Sequence, residues 1–251
     1  MVGGLDKFRE YFAAYTEQYV LIGGAACDII MEDFDSTFRA TRDLDLVLIV
    51  EALTPEFGQE FWRFIQDGKY RNKSMSTDQP HFYRFDKPEE SGFPYMLELF
   101  SRSAFDLNYP DSHLTPLHFD DSVSSLSAIL LNDAYYEMLL NGRTEIDGVR
   151  VLAPAYIIPF KAKAWLDLSE KRENGFHVDE KDIKKHKNDV ARLASILMDR
   201  DTVVLPEEVT ADMTEFIRQY EQAPVDMKSL KIKGVSNQQI IERLKQIYEN
   251  K

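Results

Sequence analysis

Residues 41–51 read TRDLDLVLIVE, and this stretch decides the fold. Acidic and apolar residues alternate through Asp43 and Asp45 before the run becomes fully apolar, which is typical of a β-strand that enters a core. Because side chains alternate along a strand, the two aspartates share one face while Leu44 lies on the other. The stretch therefore predicts a buried strand that carries two carboxylates on a single face.

Two carboxylates on one strand face repel each other and are costly to desolvate unless a cation lies between them. Their hard oxygen atoms favour Mg²⁺, the ion that most often accompanies a bound phosphate. The alternative interpretation is a strand whose polar edge faces water. Asp43 and Asp45 are therefore candidate metal ligands whose significance depends on the residues around them.

The upstream segment YVLIGGAACDII, residues 19–30, passes from continuous apolar residues to a glycine pair and then to helix-forming residues. This order predicts a strand, a tight turn at Gly23 and Gly24, and a helix. Backbone N–H groups at such a turn and at a helix N-terminus can hold a triphosphate. A simple tight turn needs the same glycines, so only their combination with the aspartates indicates a nucleotide site.

Glu98 lies in YMLELFS, residues 95–101, a predicted strand in which it shares a face with apolar residues. An unpaired carboxylate is expensive to bury, so this position requires a metal ion or a basic partner. Three interpretations stay open. Glu98 completes the metal site, it pairs with Arg84 or Arg102, or its strand face with Met96 and Phe100 is partly exposed.

The remaining pattern indicates strands in the first half of the chain and helices in the second. Predicted helices occupy residues 5–17, 54–66, 155–171, 181–198, 210–222 and 236–249, and further strands occupy 70–75, 81–86 and 148–154. Residues 125–142 mix helical and strand signals and stay unassigned. The sequence thus predicts an α+β fold with a mixed β-sheet domain over residues 1–150 and a helical C-terminal region over residues 151–251.

The composition is that of an ordinary globular protein, with 44% hydrophobic and 29% charged residues among 251 and no apolar run approaching the about 20 residues of a membrane span. The start MVGGLDKFREYF lacks the apolar core of a secretory signal, and Cys27 is the single cysteine, so we expect a cytoplasmic protein without a membrane partner. The net charge of -13 disfavours non-specific binding to nucleic acid.

Together these motifs resemble the nucleotidyltransferase superfamily, whose members have the DNA polymerase β-like fold. The superfamily signature is a Gly-Gly or Gly-Ser turn followed by a strand with two aspartates around one hydrophobic residue, and here LIGG, residues 21–24, precedes RATRDLDLVL, residues 39–48. The separation of the two motifs is similar to that in the AbiEii-like branch of abortive-infection toxins. Arg39 and Thr41 fit the R-x-T-x-D-h-D string typical of that branch.

Two later motifs of the same branch have counterparts in the helical half. KAKA, which begins at Lys161, resembles its Lys-x-x-Ala, and DVARL, which begins at Asp189, resembles its Asp-h-x-x-Leu. Such a lysine would contact phosphates, and the aspartate would orient a lysine or the acceptor hydroxyl. The alternatives are a lysine stem that reaches solvent and an exposed carboxylate paired with Lys185. The chain departs from the branch where an arginine commonly follows the lysine, since Asp167 and Leu168 occupy that vicinity.

The resemblance implies a Mg²⁺-dependent nucleotidyltransferase that moves an NMP from an NTP to a hydroxyl on a protein, an RNA end or a small molecule. The implied catalytic and metal-binding residues are Asp43, Asp45 and Glu98. The implied nucleotide-binding residues are Gly23, Gly24, Arg39, Thr41, Lys161 and Asp189. The resemblance also implies a toxin-like role and a cognate antitoxin or partner protein.

Two other functions stay open at the level of sequence. One is an inert member of the superfamily that acts as a nucleotide sensor or as a protein-interaction module. The other is an unrelated α/β binding protein in which TRDLDL is only a strand. The sequence does not indicate the acceptor, the nucleobase or the oligomeric state.

Overall fold

The computed structural model describes residues 3–34, 38, 41–76, 82–102, 115–117, 129–130, 132–198 and 203–249. The helices are α1 (Leu5–Phe12, followed by a 3₁₀ turn, Ala13–Tyr15), α2 (Gly23–Asp33), α3 (Pro55–Asp67), α4 (Asp133–Asn141), α5 (Pro154–Glu173), α6 (Glu180–Ile196), α7 (Glu207–Gln222) and α8 (Asn237–Tyr248). The strands are β1 (Tyr19–Ile22), β2 (Asp43–Leu48), β3 (Asn72–Ser76), β4 (Phe82–Asp86), β5 (Met96–Ser101), β6 (Thr115–Leu117), β7 (Arg143–Ile146) and β8 (Val149–Leu152).

The described strands pair into one mixed sheet in the order β6-β3-β4-β5-β2-β1-β8-β7. Strand β2 lies in its interior, parallel to β5 and antiparallel to β1. Leu44 and Leu46 of β2 are buried, as their alternation with the aspartates predicts. The predicted α+β fold with a mixed sheet is confirmed. Strand β2 ends at Leu48, before the end of the apolar run that suggested it.

The predicted strand, turn and helix are present at the glycine pair. Strand β1 is buried over its whole length and ends at Ile22, and α2 begins at once with Gly23. Gly23 has a φ of +67°, which an L side chain rarely adopts. The first glycine therefore allows the chain to reverse from strand into helix without an intervening loop.

An aromatic layer from α1 and α3 covers one face of the sheet. Phe8 packs against Tyr19 with ring centroids 5.2 Å apart, and Phe61 packs against Phe85 at 5.3 Å. By the alternation of side chains along the paired strands, Tyr19 and Phe85 lie on the face opposite to Asp45. Full burial of one such ring contributes about 1.5–3 kcal/mol, so this apolar face anchors the sheet while the other carries the carboxylates.

The described residues divide into two compact units. The first comprises those within Met1–Asp120 and Arg143–Leu152, which include the sheet and α1–α3, and the second comprises those within Asp121–Gly142 and Ala153–Lys251. Helix α4 falls inside the 1–150 domain that the sequence predicts, yet it belongs to the helical unit. The reason is its contacts, because the Tyr135 ring packs against Phe160 of α5 with centroids 5.3 Å apart.

Helices α5 to α8 lie where apolar periodicity predicts helices in the second half of the chain. The last of them starts with a capping box, in which Ser236 Oγ accepts from the Gln239 backbone N–H and the Gln239 side chain accepts from the Ser236 N–H. Not one of the helices that the structure describes combines the length and the apolar character needed to cross a bilayer.

Candidate functional site

Three neighbouring strands bring Gly23, Asp45 and Glu98 together. Ile22, the last residue of β1, pairs with Asp45 across the antiparallel ladder, and Asp45 pairs with Glu98 across the parallel ladder of β2 and β5. Directly paired residues lie on the same face of a sheet, and Asp43, two positions before Asp45, shares that face. The glycine turn and the carboxylates, which are far apart in sequence, therefore form one site.

The glycine turn lies directly against the Asp45 carboxylate. A Cβ atom added to Gly23 would lie 1.7 Å from Oδ2 of Asp45, so no side chain fits between them. Ile22 is the N-cap of α2, and an aliphatic side chain cannot accept hydrogen bonds from the first helical turn. The first-turn N–H groups have no partner within a helix, and the helix dipole there favours negative charge. The N-terminus of α2 is thus suited to bind an anion, and it lies beside the Asp45 carboxylate.

Glu98 is buried, with 7% of its surface exposed, and it pairs with Arg84. Arg84 lies directly opposite on β4, where its Nε donates to Oε1 of Glu98 over 2.8 Å and an Nη2–H bonds to the same oxygen. Burial and the charge of hydrogen-bonded Asp45 raise the pKa of Glu98, Arg84 lowers it, and together they raise this pKa to about 8. Of the two arginines that the sequence suggested as partners, the structure selects Arg84.

Two of the three carboxylates of the site are suited to hold a divalent cation. Asp43 and Asp45 share one strand face and supply the oxygen ligands that Mg²⁺ prefers. Among the described residues, however, no group of three His, Cys, Asp or Glu side chains is arranged to hold one ion between them. Glu98 already accepts two bonds from Arg84. The two aspartates are therefore the better candidate ligands.

The other nucleotide-binding residues predicted near the aspartates are placed as follows. Thr41 is half-buried and lies two residues before the start of β2, and Gly24 is buried in the first turn of α2. Arg39 lies outside the described residues. Thr41 therefore adjoins the strand that carries Asp43 and Asp45, while Gly23 and Gly24 follow the neighbouring strand β1.

Lys161 and Asp189 form a buried ion pair between helices α5 and α6 of the helical unit. Nζ of Lys161 lies 3.2 Å from Oδ2 of Asp189, and these residues are 7% and 0% exposed. Arg192 lies 3.8 Å from the other carboxylate oxygen. Both solvent-exposed alternatives are wrong, since Lys161 does not extend into water and Lys185 pairs with Asp182 instead. The pair accounts for the burial of both charges within the second unit.

A further polar cluster in the helical unit was not indicated by the sequence. Tyr135 donates from its hydroxyl to Oδ2 of Asp212 over 2.9 Å, and Nζ of Lys163 lies 3.2 Å from Asp212 and 3.4 Å from Asp167. Burial raises the pKa of Asp167, while Lys163 lowers it. These residues lie on α4, α5 and α7, so only the packing of the three helices brings them together.

No protein-family model and no curated protein matches the chain. Among solved structures, the chain is similar to the crystal structure of the Megavirus polyadenylate synthase, with a TM-score of 0.30 and 11% sequence identity. The similarity covers 96% of this chain and 49% of that one, so the chain spans about half the length of the viral protein. A similarity at this level supports no assignment of family or function.

Proposed function

We propose that the chain is a metal-dependent nucleotidyltransferase of the DNA polymerase β-like superfamily, which moves an NMP from an NTP to a hydroxyl acceptor. The observation that carries this proposal is the contact between Gly23 and the Asp45 carboxylate. A phosphate-binding turn needs open backbone N–H groups, and a metal-binding carboxylate beside it needs a residue without a side chain at that turn. Gly23 meets both requirements at the N-terminus of α2.

In this mechanism the first turn of α2 binds the phosphates of the NTP through its backbone N–H groups. Asp43 and Asp45 would hold the metal ion, which when bound neutralises phosphate charge and lowers the pKa of the acceptor hydroxyl. Asp45 and Glu98 are the carboxylates of the site that can take the proton of that hydroxyl. The aromatic face of the sheet keeps these side chains at fixed positions because β2 and β5 cannot shift in register without burying charge.

The acceptor and the biological role are further parts of the proposal. A protein hydroxyl or a small molecule fits the net charge of -13 better than an RNA end does. The resemblance to abortive-infection toxins supports a toxin-like activity that a cognate antitoxin or partner protein restrains. Expression in a bacterial host that slows growth, and an Asp43→Asn variant that does not, would support that role. Equal growth with both would contradict it.

The activity is tested by incubating the purified protein with Mg²⁺, cell lysate and each of the four NTPs labelled at the α-phosphate. We expect a labelled product with the wild type and none with Asp43→Asn or Asp45→Asn. Asp86→Asn is the matched control, because Asp86 lies on the same face of the sheet on β4 and takes no part in the proposed site. Undiminished labelling by Asp43→Asn would show that the assignment is wrong.

An inert member of the superfamily is the second candidate, and the bonds from Arg84 to Glu98 favour it, because they engage the third carboxylate. Calorimetric titration with each NTP in the presence of Mg²⁺ separates the two functions. Binding with labelled product indicates the transferase. Binding that Asp45→Asn abolishes, without product under any condition, indicates the sensor or interaction module.

A further inference from the structure

Arg84 occupies a position that fixes it on Glu98. The two residues lie directly opposite each other in the antiparallel ladder of β4 and β5, so the backbone register places the guanidinium over the carboxylate. The guanidinium carbon lies 5.7 Å from the ring centroid of Phe82, which flanks it on the same strand. With 20% of its side chain exposed, Arg84 is itself largely buried. The strand register and the burial of Arg84 therefore keep its guanidinium next to Glu98.

The bonds from Arg84 also determine which oxygen lone pairs of Glu98 remain for a metal ion. Nε and Nη2 both donate to Oε1 of Glu98, and Asp45 is hydrogen-bonded to the same carboxylate. A metal ligand must direct oxygen lone pairs at the ion, and the lone pairs of Oε1 that accept the two N–H bonds are not available to it, so Glu98 could offer an ion at most Oε2. Arg84 therefore supplies the positive charge that a metal ion would otherwise bring to Glu98.

We propose that Arg84 is a positioning residue that neutralises Glu98 in place of a metal ion, so that the site binds one divalent cation through Asp43 and Asp45. This inference rests on the proposed function, since it assigns the metal stoichiometry of the same site. The proposed one-ion site differs from a site in which three carboxylates hold two ions. Arg84 acts through Glu98 and touches neither the metal nor the reacting atoms.

The test measures the binding of Mn²⁺ alone, from the loss of the electron paramagnetic resonance signal of free Mn²⁺. We expect the wild type to bind one Mn²⁺ per chain and Glu98→Gln still to bind one, because Glu98 is not a ligand. Substitution of a residue that is hydrogen-bonded to a metal ligand can weaken binding by about 10–100-fold, so the number of bound ions decides and not the affinity. Asp43→Asn and Asp45→Asn are expected to abolish binding.

Removal of Arg84 is expected to increase the number of bound Mn²⁺ ions. Arg84→Met is expected to bind a second Mn²⁺, because Glu98 is then released, and Arg84→Met combined with Glu98→Gln is expected to return to one. Arg84→Lys keeps the charge and is expected to stay at one. A role of Arg84 in stability alone would leave the stoichiometry of every folded variant unchanged, and that result would overturn the proposal.

The remaining outcomes separate this inference from the proposed function. Two Mn²⁺ ions on the wild type, or complete loss of Mn²⁺ binding in Glu98→Gln, overturns the inference and leaves the nucleotidyltransferase assignment standing. Binding that survives in both Asp43→Asn and Asp45→Asn overturns the proposed function and the inference together. If Arg84→Met does not fold, the wild type and Glu98→Gln still decide the question.

Discussion

The two units of the chain each bury an acid–base pair, and the two pairs differ in their surroundings. In the sheet unit, Glu98 pairs with Arg84 and its next charged neighbour is a second acid, Asp45. In the helical unit, Asp189 pairs with Lys161 and its next charged neighbour is a second base, Arg192. Glu98 thus has one positive and one negative neighbour, whereas Asp189 has two positive ones.

The contrast concerns which pair a cation would stabilise. A buried acid beside another acid is stabilised by a cation, so a cation bound at the sheet pair would add to its stability. Asp189 already has two positive neighbours. Substitutions in the two pairs show whether they differ in this way.

The largest effect is expected at the helical pair. Lys161→Met should lower the free energy of unfolding by about 3–5 kcal/mol, because it leaves Asp189 buried without its closest cation. Urea denaturation followed by circular dichroism measures the change. The double variant Lys161→Met with Asp189→Leu should be more stable than the single one, since it removes both buried charges. A loss below about 1 kcal/mol would mean that Arg192 replaces Lys161, and the pair would then not be the structural contact described.

The next effect is expected at the glycine turn of the sheet unit. Gly23→Ala should lower the free energy of unfolding by at least about 2 kcal/mol, because it adds a Cβ at positive φ and against Oδ2 of Asp45. It should also weaken the binding of Mn²⁺, which depends on the position of that carboxylate.

Gly58→Ala is the matched control for the glycine turn. Gly58 lies inside α3, a Cβ there would meet no atom within 4 Å, and alanine favours helix over glycine by up to about 1 kcal/mol. The control variant is expected to be slightly more stable than the wild type and to bind Mn²⁺ unchanged. Equal losses in the two variants would contradict the close contact between turn and carboxylate.

The smallest effect is expected at Glu98. Glu98→Gln should change the free energy of unfolding by less than about 1 kcal/mol, because the amide oxygen still accepts from Arg84 while the repulsion from Asp45 disappears. Asp189→Asn is the comparison, and it should cost about 3 kcal/mol because it leaves the buried Lys161 without a carboxylate. Similar losses in both variants would remove the distinction between the two pairs.

Most of the fold could be predicted because most of its helices and strands have a recognisable local sequence pattern. Strand β2 and helix α3 have clear periodicities, and the glycine pair marks the end of β1. Three of the described elements could not be predicted. Helix α4 mixes aromatic and helix-forming residues over a short segment, and β6 and β7 are three and four residues long, so none of them carries a periodic pattern of sufficient length.

The sequence predicts that Asp43 and Asp45 share one strand face, but it does not determine which residues the carboxylates pair with. The sequence names Glu98 and two arginines, and only the register of β4 against β5 selects Arg84. In the same way it offers Asp189 either a lysine of the Lys-x-x-Ala motif or Lys185, and the packing of α5 on α6 selects Lys161. Local patterns fix which side chains are placed on one face, but contacts between distant segments require the tertiary structure.

The parallel pairing of β2 with β5 has a consequence for how the protein folds. Asp45 and Glu98 are adjacent in the sheet, but α3, β3 and β4 lie between them in the chain, so their contact closes a long loop. Such non-local strand pairing is slow compared with the formation of helices and hairpins. The antiparallel pairing of β1 with β2 closes a shorter loop and can place Gly23 beside Asp45 earlier. By this loop-length argument the acid pair at the centre of the sheet is completed after the β1–β2 pairing, and the pairing of β1 with β8, which joins Leu21 to Val151, follows it.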